Sequence, residues 1–454
     1  PNITLLSYSE VVSVDGFVGN FNVKVRRKPR YVDEEKCVGC FECIEQCVYK
    51  TAKFPNEFDL GLGKRKPIYM PFPQAIPLVA VIDPETCIEF KTGHCKQTCV
   101  DACGDRDAID FQQKEKIVDL DVGTIIVATG FHVFDAARMT NYSYGKLPGV
   151  YNALEVERLA ASNGPTGGEI VLRDGRPPKA VAVVHCVGSR DEHYNTYCSK
   201  VCCMYSLKYA HLIRERTGAR VYNFYMDMRA NGKGYEEFYQ RVASEQVGFV
   251  RGKPARVTDV AESPEEEGKL IIVVEDTLAG VNLRVPVDMV VLSTAMDPGD
   301  VDGLLASLHL DKTPDGFVKE YHLKINPTET AVKGVFVAGC AQSPKDITDT
   351  IAQAGAAAMS ASMFLGSGEM TLNPLVAEVN PSLCRACDRC TDVCEFDAVH
   401  VDPEGLVASV DETACEGCGK CTVVCPTGAI TVHQFTKPQI VASIDALAPK
   451  AVAP

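Results

Sequence analysis

The sequence predicts an α/β core that is interrupted, and then followed, by small cysteine-rich α+β modules. Three observations carry this. Residues 179–225 run strand, helix, strand at the spacing of a βαβ unit, which implies a parallel sheet. Two segments, 115–130 and 334–358, each lead a short apolar strand into small residues. Cysteines fall in tight runs between and after these segments.

Bulk properties narrow the class. A chain of 454 residues allows roughly three domains. No apolar run approaches the roughly 18 residues that a membrane helix needs. The net charge of −14 argues against nucleic acid and anionic lipid as partners. It suits basic patches on partner proteins, or equally a merely solvated acidic surface. The sequence begins at Pro1 with no secretion-type leader. The expectation is therefore a cytoplasmic chain that is processed or read without its upstream part. With 21 cysteines and no secretion signal, a disulfide framework is not expected. Thiolate-rich runs select soft-metal centres.

The C-terminal run is the clearest. Cys384, Cys387, Cys390 and Cys394, then Cys415, Cys418, Cys421 and Cys425, both read C-x2-C-x2-C-x3-C, and Pro426 follows the second. This is the two-cluster ferredoxin pattern, in which the fourth cysteine of each run serves the other cluster. One [4Fe–4S] cluster is assigned to Cys384, Cys387, Cys390 and Cys425, the other to Cys415, Cys418, Cys421 and Cys394. The apolar pairs at 398–401 and 429–432 are expected as the paired strands of this small fold. A zinc ribbon is the alternative, and two consecutive four-cysteine runs disfavour it. Upstream, Cys37, Cys40, Cys43 and Cys47 repeat the spacing, whereas Cys87, Cys95, Cys99 and Cys103 are stretched to x7, x3, x3. The same crossing puts Cys103 with Cys37, Cys40 and Cys43, and Cys47 with Cys87, Cys95 and Cys99. Residues 53–77, rich in Pro and Gly, read as a long loop.

The α/β frame surrounds these modules. Residues 115–130 read as a strand pair ending in Ala128, Thr129 and Gly130. Residues 334–358 read as a strand, a turn at Gly339 and Cys340, and a helix starting near Asp346 and Ile347. The two segments resemble the second and third FAD-contacting motifs of thioredoxin-reductase-like flavoproteins. The resemblance implies that these seven residues contact FAD, with the helix N-terminus aimed at the flavin. Two departures stand out. Cys340 replaces the usual acidic residue, and no strand followed by G-x-G-x-x-G is present. FAD is thus expected to be shared with sequence absent from this chain. Residues 1–25 read as a β-hairpin.

The segment 179–210 carries the central question. An apolar strand stops at His185 and Cys186, where a dinucleotide fold would place a glycine-rich turn. The loop HCVGSR lacks that turn. Cys198 and Cys202 are read as i, i+4 on one helix face, with Cys203 one step round. With Cys186 they are expected to hold a fifth [4Fe–4S] cluster, its negative charge favoured by the helix N-terminus. Four structural buried cysteines, or a redox-active disulfide, are the alternatives.

These motifs together resemble the heterodisulfide reductase A-subunit family along nearly the whole chain, without that family's N-terminal FAD-fingerprint part. The resemblance implies an anaerobic iron–sulfur flavoprotein oxidoreductase of methanogenesis that performs electron bifurcation. Electrons would come from a hydrogenase or formate dehydrogenase. They would leave to a disulfide-type acceptor through B and C subunits, and to ferredoxin, within a dimer of multi-subunit complexes. It also implies that Lys208 lies near the flavin N5. The competing readings are a polyferredoxin-type electron-wiring scaffold without flavin chemistry, and a flavin oxidoreductase using NAD(P)H.

The expected partition follows. Residues 1–30, 112–150 and 310–368 form a partial FAD-binding domain. Residues 31–111 form the inserted ferredoxin module. Residues 151–309 form an NAD(P)H-domain-like unit carrying a cluster. Residues 369–435 form the C-terminal ferredoxin, and 436–454 a tail.

Overall fold

Every residue of the strand Ala180–Val187 is buried. In the computed structural model, which describes residues 2–367, 374–396, 398–402 and 404–447, this strand is the middle of a five-stranded parallel sheet. Met289–Thr294 and Arg220–Tyr225 flank it, with Val150–Asn152 and Gly248–Arg251 at the edges. A parallel sheet must be covered on both faces, and its strands read as continuous apolar runs. Alternate residues divide accordingly. Val181 and Val183 pack against Leu207, Ala210 and Ile213 of the helix Cys202–Thr217 and Val156 and Leu159 of the helix Ala153–Ala160. Ala182 and Val184 pack against Ile272, Val274 and Val287 of a three-stranded antiparallel sheet. The helix Ala153–Ala160 starts where Asn152 and Glu155 form a reciprocal capping box.

The second α/β unit is smaller. Ser9–Phe17, Asn20–Arg27 and Lys116–Val122 form an antiparallel sheet, in keeping with the hairpin expected at 1–25. Ile125–Val127 runs parallel to Val335–Val337. The helix Ile347–Ser367 follows, as read from the sequence.

The partition shifts at two places. The strands Phe131–Val133 and Met296–Pro298 pair with each other where the chain passes into and out of the central unit. Phe134, Met139 and Tyr142 already lie in the central core, so that unit begins before residue 151. Leu305 and Leu308 pack with Val14 and Val23, so it ends before 309. Burial decides the boundary, because two chains that cross side by side satisfy each other's backbone groups. The boundary expected at 368/369 lies outside the described residues.

The inserted module is tied down more firmly than a long loop. Residues 53–82 form two short strand pairs. Arg65 reaches Glu57 at 2.6 Å and Asp83 at 2.9 Å and lies over the Tyr69 ring. Arg158 of the central unit donates to Asp59 at 3.0 Å, with both side chains largely buried. In the C-terminal module the expected strands do not pair with each other. Val399–Asp402 pairs with Val407–Val410, and Ile430–Val432 with Ala377–Val379. Leu406 N bonds Asp402 O, so the first pair is formed by neighbouring segments of the chain. The tail forms a helix, Lys437–Leu447, with no buried residue. Among the described residues no helix is long and apolar enough to cross a membrane.

Candidate iron–sulfur and flavin sites

Three of the four cysteine runs in the two modules build the same loop. The second residue after the first cysteine and the fourth residue after it are left-handed: Gly39 and Phe41, Ala386 and Asp388, Gly417 and Gly419. The short helix then starts, with the second left-handed residue as its N-cap. The stretched run reaches the same end, since Gln97 at φ 51° caps the helix Thr98–Cys103. Such backbone turns its N–H groups inward, where anionic sulfur needs donors. In one loop Ala386 N points to Cys384 Sγ at 3.5 Å, and outside the loops further backbone donors reach thiols: Ala108 N to Cys103 Sγ at 3.4 Å, Ala377 N to Cys415 Sγ at 3.4 Å, Ala398 N to Cys394 Sγ and Ala429 N to Cys425 Sγ at 3.2 Å. A Cβ on Gly417 would run into the Leu375 carbonyl oxygen. Gly417→Ala therefore adds a left-handed penalty of about 1–2 kcal/mol to that collision. It is expected to release iron from the C-terminal module to a chelator roughly tenfold faster or more, with the inserted module unaffected.

The thiols gather in fours. One hollow is lined by Cys37, Cys40, Cys43 and Cys103, another by Cys47, Cys87, Cys95 and Cys99. In each, three cysteines come from one run and one from the other. Burial pushes the Cys43 thiol up to about 12, and Cys37, Cys40 and Cys103 raise it further. Burial likewise raises Cys99 to about 12, with Cys47, Cys87 and Cys95 adding to it. In the C-terminal module burial raises Cys421 to about 11, and Cys415, Cys418 and Cys394 reinforce it. Four thiolates in one dry hollow repel each other, so they ionise together only with a compensating cation. Iron would supply that charge. Among the described residues no three Cys, His, Asp or Glu side chains converge tightly enough for a single ion. In a cubane cluster each thiolate takes a different iron, so its four ligands stand further apart than those of one ion. The donor sets therefore fit [4Fe–4S] clusters.

The fifth set sits at the carboxyl end of the central strand. Cys186 takes a left-handed φ of 56°, and the pairing with Met289–Thr294 shifts register between Val184 and Val187. A bulge at a strand end re-aims a side chain. Cys186, Cys202 and Cys203 are buried. Burial raises Cys186 to about 11, Cys203 and Cys198 adding to it. Cys202 is raised too, by burial and then by Cys186, Cys203 and Cys198. All four thiols are thus neighbours. The geometry differs from the expected helix face in one respect. The helix begins at Cys202, and Cys198 precedes it in the loop. Lys200 at φ 62° breaks the helical path, and its N–H donates to Cys198 Sγ at 3.3 Å. His185, wholly buried, shares a 2.9 Å hydrogen bond with Asn223, and burial pushes it down to about 4, so it is neutral.

Two cavities open beside this set. One of about 810 Å³ is lined by Cys198, Lys200, Arg229 and Gln342, among others. The other, of about 460 Å³, is mainly apolar and is lined by Phe131, Lys200, Val201, Met204, Tyr205, Cys340, Asp346 and Ile347. Three of the expected flavin contacts, Cys340, Asp346 and Ile347, therefore share one cavity. Gly339 precedes it, with its N–H donated to Gln353. Ala128, Thr129 and Gly130 do not line it; Phe131, the next residue, does. No glycine is among the lining residues, so the walls suit a flat apolar ring system and offer no close backbone approach for a pyrophosphate. One amide at the helix start is also capped internally, Asp349 N bonding Asp346 Oδ1 at 2.8 Å.

Lys208 is the lysine that the family resemblance places near the flavin N5. It lies on the helix Cys202–Thr217, but its Nζ is held by Glu157 at 2.8 and 3.0 Å and lines neither cavity. The lysine at both cavities is Lys200, which pairs with Asp349 and lies 3.8 Å from Asp346. Sequence reasoning passed over it, although a cation between Cys198 and Cys202 was a visible signal.

Comparison with known proteins now decides the family. The chain is 46% identical over 453 residues to the iron–sulfur A-subunit of CoB–CoM heterodisulfide reductase from Methanocaldococcus jannaschii, covering 98% of this chain and 67% of that one. The chain belongs to the heterodisulfide reductase A-subunit family. A relative in Methanopyrus kandleri is 46% identical over 407 residues, covering 88% of this chain and 60% of its own length. The A-subunit of the H(2):CoB-CoM heterodisulfide,ferredoxin reductase of Methanothermobacter marburgensis is 43% identical over 407 residues, covering 88% and 59%. The chain thus spans about 60% of the length of these curated relatives. Residues 383–429 match the family described as a 4Fe–4S dicluster domain. A thioredoxin reductase of T. acidophilum aligns with 67% of this chain and 86% of its own, at 14% identity and a TM-score of 0.36, a likeness too slight to add to the heterodisulfide reductase assignment.

Proposed function

We propose that this part of a heterodisulfide reductase A-subunit is an electron-transferring oxidoreductase segment. It holds five [4Fe–4S] clusters, and an FAD shared with sequence outside residues 1–454. The observation that carries this reading is the gathering of Cys186, Cys198, Cys202 and Cys203 at the carboxyl end of the central strand, beside the cavity of Cys340, Asp346 and Ile347. In an open α/β sheet that edge is where ligands bind. FAD, when bound, supplies the splitting of an electron pair into two single-electron transfers. The chain's own residues do the rest. Cys340 and the helix Ile347–Ser367 wall the ring cavity, Lys200 places a cation at its mouth, and buried thiols keep the fifth cluster dry.

Electrons need ports. Cys40 in the inserted module, and Cys387 and Cys418 in the C-terminal module, are exposed. Each offers a cluster edge to a partner. Input through the C-terminal module from a hydrogenase or formate dehydrogenase, and output to ferredoxin through the inserted one, fit this layout. The disulfide-type acceptor would be reached through B and C subunits. The names of relatives mention H(2)/formate in Methanococcus maripaludis and ferredoxin/F(420)H(2) in Methanosarcina acetivorans, so the donor differs within the family. A cytoplasmic complex suits such donors. The test is cofactor analysis of the intact complex. Iron, sulfide and FAD together support the reading. Iron and sulfide without FAD would leave a polyferredoxin-type wiring scaffold.

A further inference from the structure

We infer that Arg190 is a positioning residue that raises the reduction potential of the cluster held by Cys186, Cys198, Cys202 and Cys203, an inference that rests on the presence of that cluster. Arg190 stands four residues after Cys186, and both are left-handed, at φ 55° and 56°. Such backbone costs of order 1–3 kcal/mol per residue and persists only where its surroundings enforce it. Here the loop is pinned from several sides. Ser189 N bonds Cys186 O at 3.2 Å, and Arg190 N bonds Tyr197 O at 3.0 Å. The buried Ser189 and Ser199 hydroxyls share a 2.7 Å bond, and Ser199 Oγ accepts from Met296 N at 3.0 Å.

Asp227 holds the guanidinium beside the ligand set. One side is anchored, with Nη2 2.6 Å from Asp227 Oδ2. The other amino group, Nη1, is buried with no hydrogen-bond partner among the described residues. A buried unpaired donor costs about 1–3 kcal/mol, and more when charged. Asp227, which holds Nη2, lies against Cys203, so the spare donor stands beside the ligand set, where the sulfur atoms of a cluster would accept it. Asp227 belongs to the same assembly, since its carbonyl oxygen lies 3.8 Å from Cys203 Sγ.

Reduction adds one negative charge to a thiolate-ligated cluster, and hydrogen bonds to its sulfurs tune its potential. A fixed cation with a free donor stabilises the reduced form more than the oxidised one. Removing it makes the cluster harder to reduce. A guanidinium held only to brace Asp227 would leave the potential where it is.

The test uses the full chain, assembled with iron and sulfide without oxygen. The relevant paramagnetic signal is the one lost in Cys186→Ser. In Arg190→Gln the cluster is expected to load and its midpoint potential to move to more negative values, with Arg190→Lys between. A loaded Arg190→Gln cluster with an unchanged midpoint overturns the inference. Should Arg190→Gln fail to load, an otherwise native protein carrying Arg229→Lys and guanidino-15N arginine decides. Nitrogen coupling on the reduced cluster supports the role of Arg190, and its absence overturns it. If Cys186→Ser neither removes nor alters any signal, the fifth cluster itself is refuted and the inference falls with it, an outcome distinct from an unmoved potential.

Discussion

A chain loaded with iron and sulfide is expected to hold about 20 iron atoms, falling to about 16 in Cys186→Ser. The remaining 16 belong to the two ferredoxin modules, whose sixteen cysteines are separate from this set. The difference of about four atoms isolates the fifth cluster. Cys186 cannot be spared by its neighbours. It is the one ligand on the strand, reaching the site through a left-handed turn, while Cys198, Cys202 and Cys203 approach from the loop and helix. Iron analysis against protein by amino-acid quantitation measures the number. About 16 iron atoms in the unmutated chain would instead favour four structural thiols or a redox-active disulfide at this place. A disulfide would further show as two thiols recovered only after reduction.

Lys200→Met is expected to weaken FAD retention in the intact complex by about tenfold or more, and Lys208→Met to leave it unchanged. Lys200 lines both cavities and neutralises Asp349, with Asp346 close by. Its removal takes away a cation and leaves Asp346, which lines the ring cavity, and the neighbouring Asp349 without it. Lys208 makes an exposed pair with Glu157, and such pairs contribute roughly 0–1 kcal/mol. Dialysis followed by flavin fluorescence separates the two variants. Equal loss in both, or loss only in Lys208→Met, would return the flavin to the neighbourhood implied by family resemblance.

Much of this protein was legible one residue at a time. The C-x2-C-x2-C-x3-C runs state their ligands, because a four-thiolate cluster tolerates few spacings. The apolar strand 180–187 announced a buried parallel sheet. Other features were not legible, for reasons that are physical. Whether Cys198 lies in the helix depended on Lys200 adopting a left-handed backbone, which no propensity for lysine favours. The insert 53–77 looked like free loop because Pro and Gly say nothing of the Asp59–Arg158 pair that fastens it to a helix 99 residues away. The domain boundary fell at the crossing of 131–133 and 296–298, a long-range pairing invisible to local pattern.

The sequence by itself determined the metal chemistry, since ligand type and spacing are local and a thiolate binds iron wherever the chain carries it. It also determined the order of strands and helices around the modules. Only the tertiary structure decided which lysine meets the cavities, where Arg190 points its spare donor, and which strands pair in the C-terminal module. Those outcomes depend on burial and on contacts between residues far apart in the chain, and burial is a property of the folded whole.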